Sequence, residues 1–248
     1  MNDITPASPE PIPPTQTPDP NAPDLPWPTF IRVLRRLSHN LRNHVNTAEL
    51  EAAFVQEITD DSEVRASLIR LRRSLGKVAD ECDQLLSRVA EPLPELIELS
   101  ADELFQAVRQ ESERRSGSAA PVIWEWLAGA PVVLSVDPDL TYRIVRELLD
   151  NAARHRLAAD RPIRVRAEAK NATFELEVIE PKSGAMETGP WGLHPFTSTE
   201  PGRYGLGTWA ARRWATAIGA KLDRRYDEEQ SALVTRLTLT SRADPAAG

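Results

Sequence analysis

Eight apolar residues recur by alternate steps of four and three between residues 64 and 89: Val64, Leu68, Leu71, Leu75, Val78, Cys82, Leu85 and Val89. Such a repeat keeps one side of an α-helix apolar, and about four unbroken heptads demand that the seam meet another helix. The partner lies just before it in the chain. Phe30, Leu34, Leu37, Leu41, Val45, Ala48, Ala52 and Val55 gather into one stripe at about 100° per residue. A helix capped by Thr29 and running to about residue 58, the turn and capping residues Thr59, Asp60, Asp61 and Ser62, and the heptad helix then make an antiparallel hairpin. Two stripes that face only each other leave flanking apolar groups wet, so the pattern predicts a homodimeric four-helix bundle.

On the first helix His39 falls opposite the stripe, among Arg32, Arg35, Arg36 and Arg42, with Asn43 one turn further on. An imidazole displayed this way is either chemically used or part of an ordinary solvated face. Taken alone, the helix favours the ordinary reading. The single cysteine, Cys82, excludes an intrachain disulfide and reads as a small hydrophobe on the seam. A net charge of -7 argues against a general nucleic-acid binder. No run of 18 uninterrupted apolar residues and no basic start followed by an apolar run is present, which points to a soluble cytoplasmic chain without membrane contact.

Ten of the 21 prolines fall in residues 1–28, so that segment reads as a disordered tail. Pro92 and Pro94 end the hairpin module, giving expected domains of 29–92 and 93–242, with a short tail at 243–248. Beyond the prolines the pattern changes. Ser100-Ala101-Asp102-Glu103 reads as a capping box. Strands are predicted at 122–126, 132–134, 163–169, 173–179, 222–226 and 233–239, and helices at 138–155 and 206–218. In the strand over 173–179, Phe174, Leu176 and Val178 alternate with Glu175 and Glu177, which gives one buried face and one solvated face. The fold class is therefore α+β: a long two-helix hairpin followed by a two-layer sandwich, with helices on one face of a mostly antiparallel sheet.

Three segments, in order, resemble the motifs of two-component sensor histidine kinases. Ser38-His39-Asn40-Leu41-Arg42-Asn43 resembles the phosphoacceptor box. Arg146-Glu147-Leu148-Leu149-Asp150-Asn151-Ala152-Ala153-Arg154-His155 resembles the asparagine box of the ATP-binding domain. His194-Pro195-Phe196-Thr197-Ser198-Thr199, followed by Gly205-Leu206-Gly207, resembles the phenylalanine box and the last glycine box. The resemblance implies that His39 takes the phosphoryl group and that Asn151 holds the magnesium bridging the ATP phosphates. Magnesium requires hard oxygen donors in near-octahedral geometry, which a side chain on a rigid helix can offer. Glu147 lies one turn earlier on the same face, Arg154 would meet phosphate charge, and Gly205 and Gly207 would let backbone N–H groups approach phosphate at a helix start.

The chain also departs from the family. Where the family carries Asp-Asn-Gly-x-Gly, this sequence reads Glu180-Pro181-Lys182-Ser183-Gly184, so Glu180 would be the acceptor for the adenine amino group and Gly184 the remaining glycine. Arg203 and Tyr204 stand where Gly and a small residue are usual. Asn40 replaces the usual acid after the histidine and cannot take a proton. Asn43 matches the position from which the family orients a water for dephosphorylating its partner. Three readings follow. The first is a kinase that autophosphorylates His39 from ATP-Mg and passes the group to the aspartate of a response regulator receiver domain. The second is a degenerate phosphotransferase or phosphatase that no longer uses ATP, and the third a non-catalytic dimeric adaptor.

Overall fold

The computed structural model describes residues 26–115, 121–127, 129, 131–155, 161–182, 184, 191–198 and 204–241. Most of the expected N-terminal tail, Thr199, Arg203 and the expected C-terminal tail lie outside these residues. The chain divides into two compact units, one ending at Ala90 and the other beginning at Glu91.

The first unit is a helical hairpin of α1 (Trp27–Ile58) and α2 (Ser62–Val89). Its start corrects the expectation of a Thr29 cap and of a disordered segment reaching residue 28. Trp27 and Pro28 are already helical, and Thr29 N–H donates to the Pro26 carbonyl. Proline suits this place because its fixed φ matches the helix and its missing N–H would have no partner there. The Asp61 carboxylate caps α2, accepting from Glu63 N at 2.7 Å and Val64 N at 3.2 Å. Across the hairpin Arg42 pairs with Asp83.

The covered column of α1 is Ile31, Ser38, Val45 and Ala52, a strict seven-residue repeat. This corrects the stripe read from the sequence. Leu37 is 60% exposed and Ser38 is buried. Paired helices follow a period of 3.5, whereas a wheel drawn at 3.6 drifts by about 20° per heptad, enough to exchange neighbours at the stripe's margin. On α2 the seam divides in the same way. Leu68, Leu75, Cys82 and Val89 are at least half covered, while Val64, Leu71 and Val78 remain 38–47% exposed.

The second unit contains β1 (Ile97–Ser100), α3 (Ala101–Arg115), β2 (Val122–Leu127), β3 (Val133–Val136), α4 (Pro138–Arg154), β4 (Ile163–Lys170), β5 (Thr173–Pro181), α5 (Gly207–Ala217), β6 (Lys221–Asp227) and β7 (Ala232–Thr240). The main sheet has the order β2-β4-β5-β7-β6, parallel only between β2 and β4. The inward columns Ile163, Val165, Ala167 and Phe174, Leu176, Val178 pack with Leu104 and Phe105 of α3, Ile144 and Leu148 of α4, and Trp214 of α5. The outward column carries charge, as in the 2.7 Å pair of Arg236 and Glu177. One face of the sheet is therefore apolar and helix-covered, as the alternation predicted.

Local chemistry fixes the joints. Ser100 and Glu103 form the predicted capping box, with Glu103 Oε2 accepting from Ser100 N at 2.9 Å and Ser100 Oγ accepting from Glu103 N at 3.2 Å. The Ser100 N–H, and the Ser100 hydroxyl that donates to the same oxygen at 2.8 Å, hold the Glu103 carboxyl below its ordinary value. Asn171 and Ala172, both at positive φ, make the two-residue turn between β4 and β5. Asp137 caps α4 through Leu140 N at 3.0 Å, and its other oxygen accepts from Glu95 N at 2.9 Å. Asp137 is buried, so Asp137→Ala strands two donors. A loss of about 2 kcal/mol is expected in denaturant unfolding, and a loss below about 0.5 kcal/mol would contradict this role.

Candidate functional site

In the hairpin unit the three residues of the phosphoacceptor box that carry chemistry are all exposed. His39 and Asn43 meet: the Asn43 Nδ2 position is 3.4 Å from His39 Nδ1. The one-turn spacing makes this contact possible, and Thr47 Oγ1, which donates to the Asn43 carbonyl at 3.0 Å, adds a bond one turn further along. Asn40 points about 100° away from His39 around the helix. The amide oxygen and nitrogen of an asparagine are chosen by their hydrogen bonds. With Oδ1 turned to the ring, Nδ1–H donates to it and the Nε2 lone pair is left free as a nucleophile. Asn43 can thus fix the tautomer that the replaced acid would otherwise fix, although it cannot carry the compensating charge.

The sandwich unit holds a cleft lined by Leu148, Asn151, Ala152, Val178, Glu180, Trp191, Arg224 and Thr235. Its floor is one row of the sheet: Val178 of β5 pairs with Thr235 of β7, which pairs with Arg224 of β6. Two of the expected ligand residues, Asn151 and Glu180, line it together. Glu147 lies at the start of α5, so close that a Cβ on residue 207 would run into its carboxylate. Gly205 has φ +59° and backs onto the main-chain nitrogens of Thr197 and Ser198, so both glycines shape the junction. Gly184 is different. A Cβ there would meet nothing within 4 Å, and the residue is not among those lining the cleft.

Charge occupies the cleft. The Lys182 ammonium pairs with Glu180 Oε1 and donates to the His155 carbonyl at 2.6 Å. The Lys182 and Glu180 side chains are only 3% and 7% exposed. Arg224 Nη2 stands 4.0 Å from Glu180 Oε2, and its guanidinium lies over the Trp191 ring at 4.8 Å, with Arg212 at 5.4 Å. Burial pushes the Arg224 guanidinium below its ordinary value, and the Glu180 carboxylate opposes that shift. Asn151 Oδ1 accepts from Arg154 Nη1 at 3.1 Å.

This arrangement was tested against ATP-Mg, the group the sequence motifs imply. At the purine end, the carboxylate that an adenine amino group needs is already engaged by Lys182. At the phosphate end, the Asn151 oxygen that would meet magnesium faces a guanidinium, and a carboxylate lies against the helix start. As they stand, these charged contacts oppose the nucleotide, while Asn151 Nδ2, Glu180 Oε1 and Arg224 Nε are buried there without a hydrogen-bond partner. Lys182, Trp191, Arg224 and Thr235 were not picked out as site residues from the sequence. Glu180 and Arg224 could have been paired there, since each continues an inward column of apolar residues, after Val178 and Leu222 respectively.

A hairpin displaying a histidine, joined to a helix-covered sheet of this order, is the fold of a sensor histidine kinase's catalytic region. The sequence matches no protein-family profile and no curated protein. Among solved structures, full-length ShkA in complex with AMPPNP superposes with a TM-score of 0.67 at 18% identity, covering 86% of this chain and 47% of that one. The Acinetobacter baumannii histidine kinase AdeS gives a TM-score of 0.49 at 16% identity over 82% of this chain and 98% of that one. The chain thus spans about half the length of ShkA.

The glycines divide by geometry. Gly205→Ala places a side chain in the left-handed region against main chain, and a loss of more than about 1 kcal/mol in stability is expected. Gly184→Ala is expected to change stability by less than about 0.5 kcal/mol. Equal effects in thermal or denaturant unfolding would contradict this account.

Proposed function

We propose that this chain is a two-component signalling protein that carries a phosphoryl group on His39 and exchanges it with the aspartate of a response regulator receiver domain. The observation that carries this reading is the exposed His39 imidazole with the Asn43 amide at its Nδ1. The Nε2 lone pair attacks the phosphorus of the partner's aspartyl phosphate. A P–N bond forms, the P–O bond to the aspartate breaks, and the carboxylate leaves with its electron pair. The reverse step charges a second receiver. Catalysis rests on positioning, because phosphoryl transfer asks for in-line geometry and charge neutralisation more than for covalent help. Asn43 has a second role, orienting a water that hydrolyses the partner's aspartyl phosphate. The active form is a homodimer, in which the exposed column Val64, Leu71 and Val78 becomes covered.

A second reading, autophosphorylation from ATP-Mg, is favoured by the AMPPNP bound to ShkA and by Asn151, Glu147 and Gly207 standing in the asparagine-box and glycine-box positions. The two readings differ in where the phosphoryl group comes from. With a radiolabelled phospho-receiver domain, wild type is expected to acquire acid-labile label, His39→Gln to acquire none, and Asn43→Ala to clear phospho-receiver roughly tenfold more slowly. Label on His39→Gln would sink the assignment, and label on wild type from ATP-Mg alone would establish the second reading instead. In sedimentation velocity the wild type is expected to run as a dimer and Leu71→Glu with Val78→Glu as a monomer. A monomeric wild type would contradict the bundle.

A further inference from the structure

We propose that the sandwich cleft is a self-liganded core: Lys182 supplies from within the chain the positively charged donor that Glu180 needs, and Arg224 stacks on Trp191 in the same cleft. The inference deepens the phosphotransfer reading and rests on it only for its consequence, which is that the phosphoryl group on His39 comes from a partner.

The argument is one of valence and room. An ionised carboxylate inside a sheet is stable only when positive donors satisfy it. Glu180 has the Lys182 ammonium beside Oε1 and Arg224 Nη2 at 4.0 Å from Oε2, ion pairs by charge and distance, while Oε1 and Arg224 Nε have no partner of hydrogen-bond geometry among the described residues. A lysine on an open surface keeps its head in water, with only its aliphatic stem against the protein. Here the side chain is 3% exposed and its ammonium also donates to the His155 carbonyl, tying the end of α4 to the end of β5. That second bond matters, because it gives Lys182 a built destination rather than a passing contact. For a purine to enter, its amino group would have to displace an ammonium from a carboxylate, and its ring would have to displace a guanidinium from Trp191. Both exchanges replace charge-assisted contacts with neutral ones.

Two measurements on the full-length chain test this separately from the receiver-domain assay. Wild type is titrated with a fluorescent ATP analogue and magnesium to 5 mM while its melting temperature is followed with unlabelled ATP-Mg. No saturable signal and no upward shift are expected, whereas half-saturation at or below about 1 mM with a matching rise in melting temperature would overturn the proposal. Lys182→Met keeps the unbranched stem of the side chain and removes its ammonium group. Its melting temperature is expected to fall by about 6–12 °C. An unchanged melting temperature would mean that Lys182 is not part of a core and would equally overturn it. If phosphotransfer from the receiver fails while ATP-Mg still does not bind, the function is wrong and the self-liganded core stands.

Discussion

A carboxylate carried into the interior of a sheet has to meet positive charge, and the sandwich is arranged around that requirement at Glu180. β5 delivers the side chain inward after Phe174, Leu176 and Val178. The end of the same strand returns Lys182 to it, and β6 brings Arg224. Through the His155 carbonyl the network reaches the end of α4. A buried ion network of this kind adds little net stability over an apolar core, but it is intolerant of alternatives, because displacing any one member strands the others. It therefore fixes the register of strand ends and helix end more sharply than packing alone would.

The same economy explains why the two motif regions behave differently. The helix hairpin keeps the His39 imidazole outside, on a rigid support with one amide neighbour. Nothing buried depends on it, so chemistry at the imidazole does not disturb the fold. The sandwich instead turns its polar groups inward. Asn151 bonds Arg154 and Glu180 bonds Lys182, and residue types suited to nucleotide recognition become partners of one another. Side chains are read by what they touch, and a motif match is a statement about position rather than about availability.

Much of the fold was legible because hydrophobic period is a strong signal. The capping box at Ser100 and Glu103 and the alternation in β5 reappear as expected, and the heptad helix forms with only part of its seam covered. The misses have separate causes. β1 is four residues with two exposed positions, too short for alternation to register, and it forms only by pairing with β3. Leu37 and Ser38 changed places because the pairing of two helices, not the helix itself, sets the period. Trp27 and Pro28 extend α1 because proline tolerates a first turn. At the site, His39 and Asn43 were legible from spacing along one helix. The association of Lys182, Trp191 and Arg224 was not, because it joins residues from three separate segments whose neighbourhood only the sheet order creates.

The account stands on the cations of this chain, rather than a nucleotide, completing the cleft at Glu180. A crystal structure of the full chain grown with millimolar AMPPNP and magnesium tests that most directly. The ammonium of Lys182 should remain on Glu180 and the His155 carbonyl, with Arg224 over Trp191 and no nucleotide between them. Density for a purine seated against Glu180, with Lys182 turned out to solvent, would contradict it.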